Sequence, residues 1–198
     1  MPGMDSRAAR AAAHDLELAA LAASGDRAAY GELVRRHAAT VRGLLRRMGA
    51  DPASADDVAQ DAFLAGFEQV ADFRGTGPFR GWISRIAARL WVRRRRWEGR
   101  LTQLDDPSDL PDAPAQAGAG EGGAALRIDL DEALKGLSEA ERLCVSMCYG
   151  AGLSHADVAE VLNTPLGTVK SHVKRGLDKL RARLAPAATV PTEQSSHG

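Results

Sequence analysis

Residues 138–184 read SEAERLCVSMCYGAGLSHADVAEVLNTPLGTVKSHVKRGLDKLRARL, and this stretch decides the fold. Ser138 and Glu141 have the spacing of a capping box, in which each side chain hydrogen-bonds the backbone N–H of the other residue. The box predicts the start of a helix over residues 139–149, and Gly150 supplies its stop.

A short helix and a long helix follow. Ser154 can cap the short helix, whose apolar residues end at Leu162. Thr164 can cap the long helix, predicted over residues 165–184, because the fixed φ of Pro165 suits a first helical turn. The two helices are therefore expected to be joined by a tight turn.

The long helix has an apolar stripe and a basic remainder. The stripe recurs at helical spacing and consists of Leu166, Val169, Val173, Leu177, Leu180 and Leu184. A short helix, a tight turn and a basic helix form the geometry that enters the DNA major groove. A solvated helix with a basic face is the competing interpretation, but two capped helices around a tight turn favour DNA binding.

Composition favours helix along the whole chain. The 198 residues are 44% hydrophobic, aromatic residues are scarce, and there are few alternating runs of Val, Ile or Thr. We therefore expect an all-α protein.

The charge distribution is more informative than the total. The 26 basic and 26 acidic residues cancel, so the net charge alone gives no reason to expect nucleic-acid binding. Residues 85–100, however, contain seven arginines and one acid, Glu98, whereas the charges of residues 105–132 are mostly acidic. Such asymmetry between segments points to a polyanionic partner.

The first half predicts further helices over residues 14–24, 27–48 and 54–73, and from Pro78 into the arginine run. Asp26 and the pair Asp51-Pro52 are expected to start two of them.

A change of composition separates two domains. Residues 101–125, rich in Pro, Gly, Ala and Asp, have no period that could bury a face and predict a flexible linker. Helical domains are therefore expected over 14–100 and 126–185, the second a helix-turn-helix domain, with a disordered tail over 186–198.

Several classes of protein are disfavoured. The first residues contain no long apolar run, which predicts a cytoplasmic protein without a membrane span. There is no Gly-rich phosphate loop, no metal-ligand cluster and no nucleophile beside a base, so neither an enzyme nor a cofactor is expected. Cys144 and Cys148 share one helix face and are interpreted as small core residues, with a redox pair as the alternative.

The sequence GLSHADVAEVLNTPLGTVKSHVKRGLDKLRARL resembles the carboxy-terminal DNA-binding domain of sigma factors of the extracytoplasmic-function (ECF) type. The match covers about residues 137–184 and is most specific at 167–171. In this family the last helix reads the upstream promoter element. The resemblance therefore implies DNA contacts by Thr168, Lys170, Ser171, His172, Lys174 and Arg175. His172 departs from the arginine that is usual there, which leaves the promoter sequence open.

The stretch DDVAQDAFL at residues 56–64 resembles the signature with which the same family docks on core RNA polymerase, at the clamp coiled coil of the largest subunit. The resemblance implies that this contact is made by Asp56, Asp57, Gln60, Asp61, Phe63 and Leu64. On the residues alone, an ordinary capped helix with a solvated acidic turn is the alternative.

Residues 73–75 and 79–87 are similar to the family segment whose loop captures an unstacked base of the downstream promoter element, while the next helix follows the opened strand. Phe79 and Trp82 share the period of the inward stripe and are expected in the core. The implied contacts with the downstream element and melted strand are Arg74, Arg80, Arg85, Arg89, Arg93, Arg94, Arg95 and Arg96.

The expected function is that of a sigma factor that binds core RNA polymerase and promoter DNA and initiates transcription of a stress or envelope-response regulon. An anti-sigma factor is a further expected partner. The alternative is an autonomous helix-turn-helix regulator that binds duplex DNA without polymerase. It would require a ligand-binding or dimerisation module in the first half, where the sequence indicates neither.

Overall fold

The computed structural model describes residue 10, residues 13–99 and residues 130–184. The regular structure within these ranges is helical. No β-strand occurs within these ranges, and the all-α prediction is confirmed. The predicted linker over 101–125 and tail over 186–198 lie outside the described residues.

The first domain contains four α-helices in its described residues: α1 (Asp15–Ala23), α2 (Arg27–Arg47), α3 (Pro52–Glu68) and α4 (Phe79–Trp97). A 3-10 turn, Val70–Asp72, follows α3.

In the second domain, residues 130–135 are helical and are followed by α5 (Glu139–Val145), α6 (His155–Leu162) and α7 (Leu166–Leu184). A π-helical turn, Ser146–Gly150, extends α5 as far as the sequence predicts.

Local side-chain signals set the helix starts. The Asp26 carboxylate accepts from the backbone N–H groups of Ala28 and Ala29 at 2.9 and 3.1 Å, and so caps α2. The Asp51 carboxylate accepts from Ser54 N–H at 3.0 Å, with Pro52 in the first turn of α3. These caps satisfy backbone donors that no intrahelical carbonyl can reach.

The core of the first domain lies where α2, α3 and α4 meet. Leu33, Leu44 and Ile83 are fully buried there. Gly66 on α3 permits the close approach, because a Cβ atom at this position would lie 2.7 Å from both Ile83 Cδ1 and the Tyr30 hydroxyl oxygen. The sequence places glycine where the helices leave no room for a side chain.

The second domain is held by α7 against α5. A Cβ atom at Gly176 would lie 2.7 Å from Val145 Cγ2, so glycine again sets the helix spacing. The buried Glu141 carboxylate accepts from Ser138 N–H at 3.0 Å and pairs with Lys179 Nζ at 3.0 Å. One side chain thereby caps α5 and ties it to α7.

The two domains pack on each other and share one buried apolar cluster. The π-helical turn lies against α2, and α6 lies against α4. The arginine-rich helix of one domain therefore faces the first helix of the helix-turn-helix in the other.

Several helix boundaries differ from prediction, and the differences at the end of α3 and the start of α7 have a clear structural basis. The third helix, expected to reach residue 73, ends at Glu68 and gives way to the 3-10 turn. The Thr164 hydroxyl donates to the Leu162 carbonyl at 3.1 Å, and α7 begins at Leu166. Asn163, in the left-handed region at φ 46°, turns the chain sharply before α7.

Candidate protein and nucleic-acid interfaces

An apolar groove runs between α2 and α3. Four of the residues predicted to bind polymerase line it: Asp56, Gln60, Phe63 and Leu64. Leu64 is 65% exposed, which is unusual for a large apolar side chain, whereas Phe63 is mostly buried in the wall. An exposed leucine beside an apolar groove with polar residues at its edge suits a protein partner.

The predicted acids of α3 lie in the groove wall or beside it. Asp57 is 3.8 Å from Arg94 of α4, and Asp56 is 3.5 Å from Arg42 of α2. Asp61 is exposed. The acidic turn of α3 thus borders the groove and makes weak surface ion pairs with both neighbouring helices.

The sequence interpretation missed the α2 side of the groove. Tyr30, Val34, Ala38 and Arg42 line it and recur every fourth residue, so they form one stripe of α2. Tyr30 and Val34 fit the core pattern of α2 equally well. The sequence signal for this side of the groove is an i, i+4 repetition of residues that ends in an arginine.

The loop after the 3-10 turn is built around a cluster of aromatic rings in edge-on and tilted contact. Phe73 lies edge-on to Phe79 at 5.4 Å between centroids, and Trp82 lies 5.4 Å from Phe79. Phe79 is buried and Trp82 is partly buried against the core, in agreement with the sequence interpretation. The rings hold the ends of the loop while Arg74 stays exposed.

Helix α1 is tied to α2 at its start and contacts the same loop, because Leu16 Cδ1 would lie 2.6 Å from a Cβ atom at Gly75. Arg36 donates to the Ala13 carbonyl at 2.8 Å and to Asp15 at 2.9 Å, and His37 lies 2.7 Å from Asp15. A shallow pocket between α1 and the loop has Leu16 and Arg36 in its lining.

The arginines predicted to contact the melted DNA strand differ in their surroundings. Arg74, Arg80 and Arg93 are exposed. Arg94 is 3.1 Å from Glu98, the residue that follows α4. Arg95 packs 5.6 Å over the Trp91 ring and pairs with Glu139 of α5 at 2.5 Å.

Arg85, Arg89, Arg93 and Arg96 recur at intervals of four, four and three, and form what we call the arginine face of α4. Three of the four contact α6. The contacts are Arg85 with Asp157 at 3.3 Å, Arg89 with Glu160 at 2.8 Å, and Arg96 with the Leu162 carbonyl.

The environment of Asp157 keeps its carboxylate charged. Partial burial alone would raise the pKa of Asp157, but hydrogen bonds from Ser154 and the charges of Arg85 and Arg89 outweigh it and lower the pKa. The acid that faces α4 is therefore an anion at neutral pH.

The solvent face of α7 carries most of the residues predicted to read the upstream element. Lys170, Ser171 and Lys174 are exposed at the start of the helix, and Thr168 and Arg175 are partly exposed. The Ser171 hydroxyl donates to the Gly167 carbonyl at 3.1 Å. Cations and a hydroxyl at the start of the second helix of this motif are suited to phosphates and base edges.

His172 does not belong to this surface. The side chain is 3% exposed, so the expectation that it faces DNA is wrong for this structure. The reason is helical geometry: residue 172 lies three positions after Val169 and four before Gly176, both of which are buried. The inward stripe of α7 is one residue wider than the leucine and valine pattern indicates.

The cysteine pair behaves as part of the core. Cys144 is fully buried, Cys148 is partly buried, and both are free thiols. Burial raises the pKa of Cys144 to about 12 and that of Cys148 to about 11. Thiols held protonated in this way are poor nucleophiles, which favours the structural interpretation over the redox pair.

Across residue 10 and the ranges 13–99 and 130–184, no group of three or more His, Cys, Asp or Glu side chains could hold a metal ion. In the same part of the chain, no helix has the length and apolarity needed to cross a bilayer.

Comparison with known families identifies both domains. Residues 33–101 match the family model described as Sigma-70 region 2, and residues 133–182 match the model described as Sigma-70, region 4. These segments contain most of the groove, the arginine face and the helix-turn-helix.

Similar proteins indicate which class of sigma factor the chain resembles. The chain is 35% identical to the ECF RNA polymerase sigma factor SigE of Mycolicibacterium smegmatis, over 82% of this chain and 65% of that protein. It is 31% identical to the RNA polymerase sigma factor NccH of Alcaligenes xylosoxydans xylosoxydans, over 86% of this chain and 94% of NccH. The structure of CnrH in complex with the cytosolic domain of CnrY superposes with a TM-score of 0.54 at 29% identity, covering 85% and 95% of the two chains.

The chain belongs to the sigma-70 family. It is an ECF-type sigma factor, a transcription initiation factor and not an enzyme, and sigma factors bind core RNA polymerase and promoter DNA.

Proposed function

We propose that the groove between α2 and α3 is the surface with which this sigma factor docks on core RNA polymerase. The observation that carries the assignment is the exposed Leu64, which stands beside Asp56 and Gln60 at the edge of an apolar groove. Burying such a side chain against a partner contributes binding free energy, and the polar residues around it supply orientation.

One DNA-contacting surface lies on α4 and the loop before it, and the other lies on α7. Arg74, Arg80 and the arginine face of α4 contact the downstream promoter element and its melted strand, since cations follow a phosphate backbone. Thr168, Lys170, Ser171, Lys174 and Arg175 contact the upstream element in duplex form.

The protein acts in the cytoplasm on a stress or envelope-response regulon, and an anti-sigma partner that covers the groove keeps it inactive. The solved complex of CnrH with the cytosolic domain of CnrY supports the idea that a relative of this chain is held by a protein partner.

Leu64→Glu tests the groove because it places a charge on the exposed apolar position without changing the core. Its affinity for core RNA polymerase, measured by fluorescence anisotropy, should fall by at least about 10-fold, the loss expected when an interface hot spot is removed. In vitro transcription from a matching promoter should fall in parallel.

Leu21→Glu is the matched control, since Leu21 is also an exposed leucine but lies on α1 outside the groove. It should retain core binding. Wild-type protein that binds duplex DNA tightly but never binds core polymerase would contradict the proposal and favour an autonomous helix-turn-helix regulator.

A further inference from the structure

Trp97 is the last residue of α4, and its side chain is 88% exposed, more than any other large apolar side chain that the structure describes. Tryptophan is usually mostly buried in folded proteins. Trp91 on the same helix shows this usual situation, since it is 3% exposed and lies under the guanidinium of Arg95. Within the described ranges, neither an aromatic ring nor an arginine lies against the Trp97 ring, so its faces are open to a ligand.

The charges beside Trp97 are mostly positive. Arg93 lies four residues earlier on the same face of α4 and is exposed. Among the described residues it forms no ion pair, whereas the other three residues of the arginine face contact α6. The acid that follows Trp97, Glu98, pairs with Arg94 at 3.1 Å. Arg93 therefore keeps its charge for an anionic partner next to the exposed ring.

The surroundings of Trp97 favour a nucleobase over an apolar protein surface. Within α4, all of which the structure describes, no other large apolar side chain is exposed, and residues 93, 94, 96 and 98 are charged. Hot spots between proteins usually lie at the centre of a packed apolar patch, which α4 does not offer here. A ring beside a cation suits single-stranded nucleic acid, since the ring stacks on a base and the cation contacts a phosphate.

Trp97 is far from the loop over residues 73–78, where the resemblance places the capture of a base. Helix α4 is 19 residues long, which separates its two ends by about 27 Å. At the loop, Phe73, Phe79 and Trp82 contact one another, with ring centroids 5.4–5.6 Å apart. A strand that follows the arginine face from the loop reaches Trp97 after about eight nucleotides at the rise of duplex DNA. Trp97 is therefore placed to contact a different base from the one at the loop.

We propose that Trp97 is a stacking platform for an unpaired base of the DNA strand that follows α4, and that Arg93 binds a phosphate next to this base. The inference rests on the proposed function only in assigning the arginine face to the melted strand. A base inside a duplex is already stacked and paired, so Trp97 contributes only where the strands are separated. It thereby stabilises the opened promoter relative to the closed duplex.

Trp97→Leu and Trp97→Phe test the platform in the full-length free chain, in which Trp97 and Arg93 are exposed. Fluorescence anisotropy compares two probes: an oligothymidylate of roughly 20 nucleotides, and a phosphodiester strand of equal length in which every position is abasic. Leucine is apolar but has no ring, so Trp97→Leu should bind oligothymidylate at least about fivefold more weakly than wild type and bind the abasic strand equally well. Trp97→Phe keeps a ring and should stay within about threefold of wild type on both probes.

Arg93→Gln separates the phosphate contact from stacking. It should weaken binding of both probes alike, because both contain the phosphates. It should also reduce the slope of log affinity against log salt concentration by about 0.7, the value for one phosphate contact on a single strand, whereas Trp97→Leu should leave the slope unchanged. Tyr149→Leu is the matched control: Tyr149 is 67% exposed but lies in the second domain, and its replacement should change neither affinity.

An equal loss of both probes in Trp97→Leu would show a contact with the backbone and overturn the platform. Unchanged binding of oligothymidylate would overturn it as well, and a loss of affinity for core RNA polymerase alone would make Trp97 a protein contact instead. If the wild-type chain fails to program core polymerase, the proposed function is lost, but the difference between the two probes in Trp97→Leu still reports stacking. The two failures are therefore distinguishable.

Discussion

Helices α4 and α7 are both 19 residues long and both basic, yet they differ in what covers them. The arginine face of α4 contacts α6 of the other domain, whereas Lys170, Ser171 and Lys174 of α7 face solvent. Basic composition therefore does not decide whether a helix is available to DNA. What decides it is whether acidic side chains of the same chain lie within reach.

The difference predicts that the free protein binds duplex DNA mainly through α7. Lys170→Glu/Lys174→Glu should lower affinity for upstream-element duplex by about 100-fold, because two phosphate-facing cations become anions. Anisotropy titrations at fixed salt measure this. The control Lys135→Glu lies outside α7 and should change affinity by less than about threefold. Duplex binding that survives in the double variant would show that α7 is not the open DNA surface.

The next largest effect should come from the packing of α7 on α5, because this packing orients α7. Gly176→Ala puts a methyl group 2.7 Å from Val145 Cγ2 and should lower the free energy of unfolding by about 1–3 kcal/mol. Urea denaturation followed by circular dichroism measures the change.

Gly43→Ala is the counterpart on α2, where nothing lies within 4 Å of an added Cβ. It should stabilise by up to about 1 kcal/mol, because alanine favours helix over glycine. Equal destabilisation by both substitutions would contradict the packing argument.

The contact between α4 and α6 can be tested through its ion pair between Arg89 and Glu160. A double-mutant cycle with Arg89→Ala and Glu160→Ala should give a coupling free energy of about 0.2–1 kcal/mol, the range for exposed ion pairs. The coupling should shrink as salt is added. A coupling of zero at low salt would mean that this contact does not hold the domains together.

The smallest expected effect is on the stability of the fold at acidic pH. The pKa of Asp157 is lowered in the folded protein, so its carboxylate stabilises the fold above the unfolded value of about 3.9 and loses that contribution as pH falls through the folded value. The stability difference between wild type and Asp157→Asn should thus be constant at neutral pH and shrink only below about pH 4.

Asp51→Asn separates capping from charge pairing. The pKa of Asp51 is also lowered, but by hydrogen bonds from Ser54 and backbone N–H groups without an arginine. Added salt should reduce the effect of Asp157→Asn and leave that of Asp51→Asn nearly unchanged. Equal salt dependence would contradict a role for Arg85 and Arg89 in holding Asp157 charged.

Local features of this fold could be predicted from the sequence, and contacts between distant segments could not. The caps at Asp26, Asp51 and Ser138 depend on residues two or three positions away, so a short stretch is sufficient to identify them. Arg85 and Asp157 are 72 residues apart, and no periodicity on α4 reveals which arginines an acid will meet.

The position of His172 follows the same division. The resemblance assigns His172 to the DNA face, although its spacing from Val169 and Gly176 places it inward. Tyr30 and Val34 of α2 pack in or against the core and also line the groove, because a groove between two helices uses the same spacing as a buried stripe. Periodicity gives the side of a helix but not whether that side is fully covered.

Three tryptophans occur in the chain, and they differ in how far their side chains are exposed to solvent. Trp91 is 3% exposed and donates its indole N–H to the Met48 carbonyl at 3.3 Å, Trp82 is partly buried, and Trp97 at the end of α4 is 88% exposed. Trp97 also stands four residues after Arg93, on the arginine face. The chain thus carries a native fluorophore at the edge of that face: collisional quenchers reach Trp97 first, and a base stacking on it would dim its red-shifted emission without any attached dye.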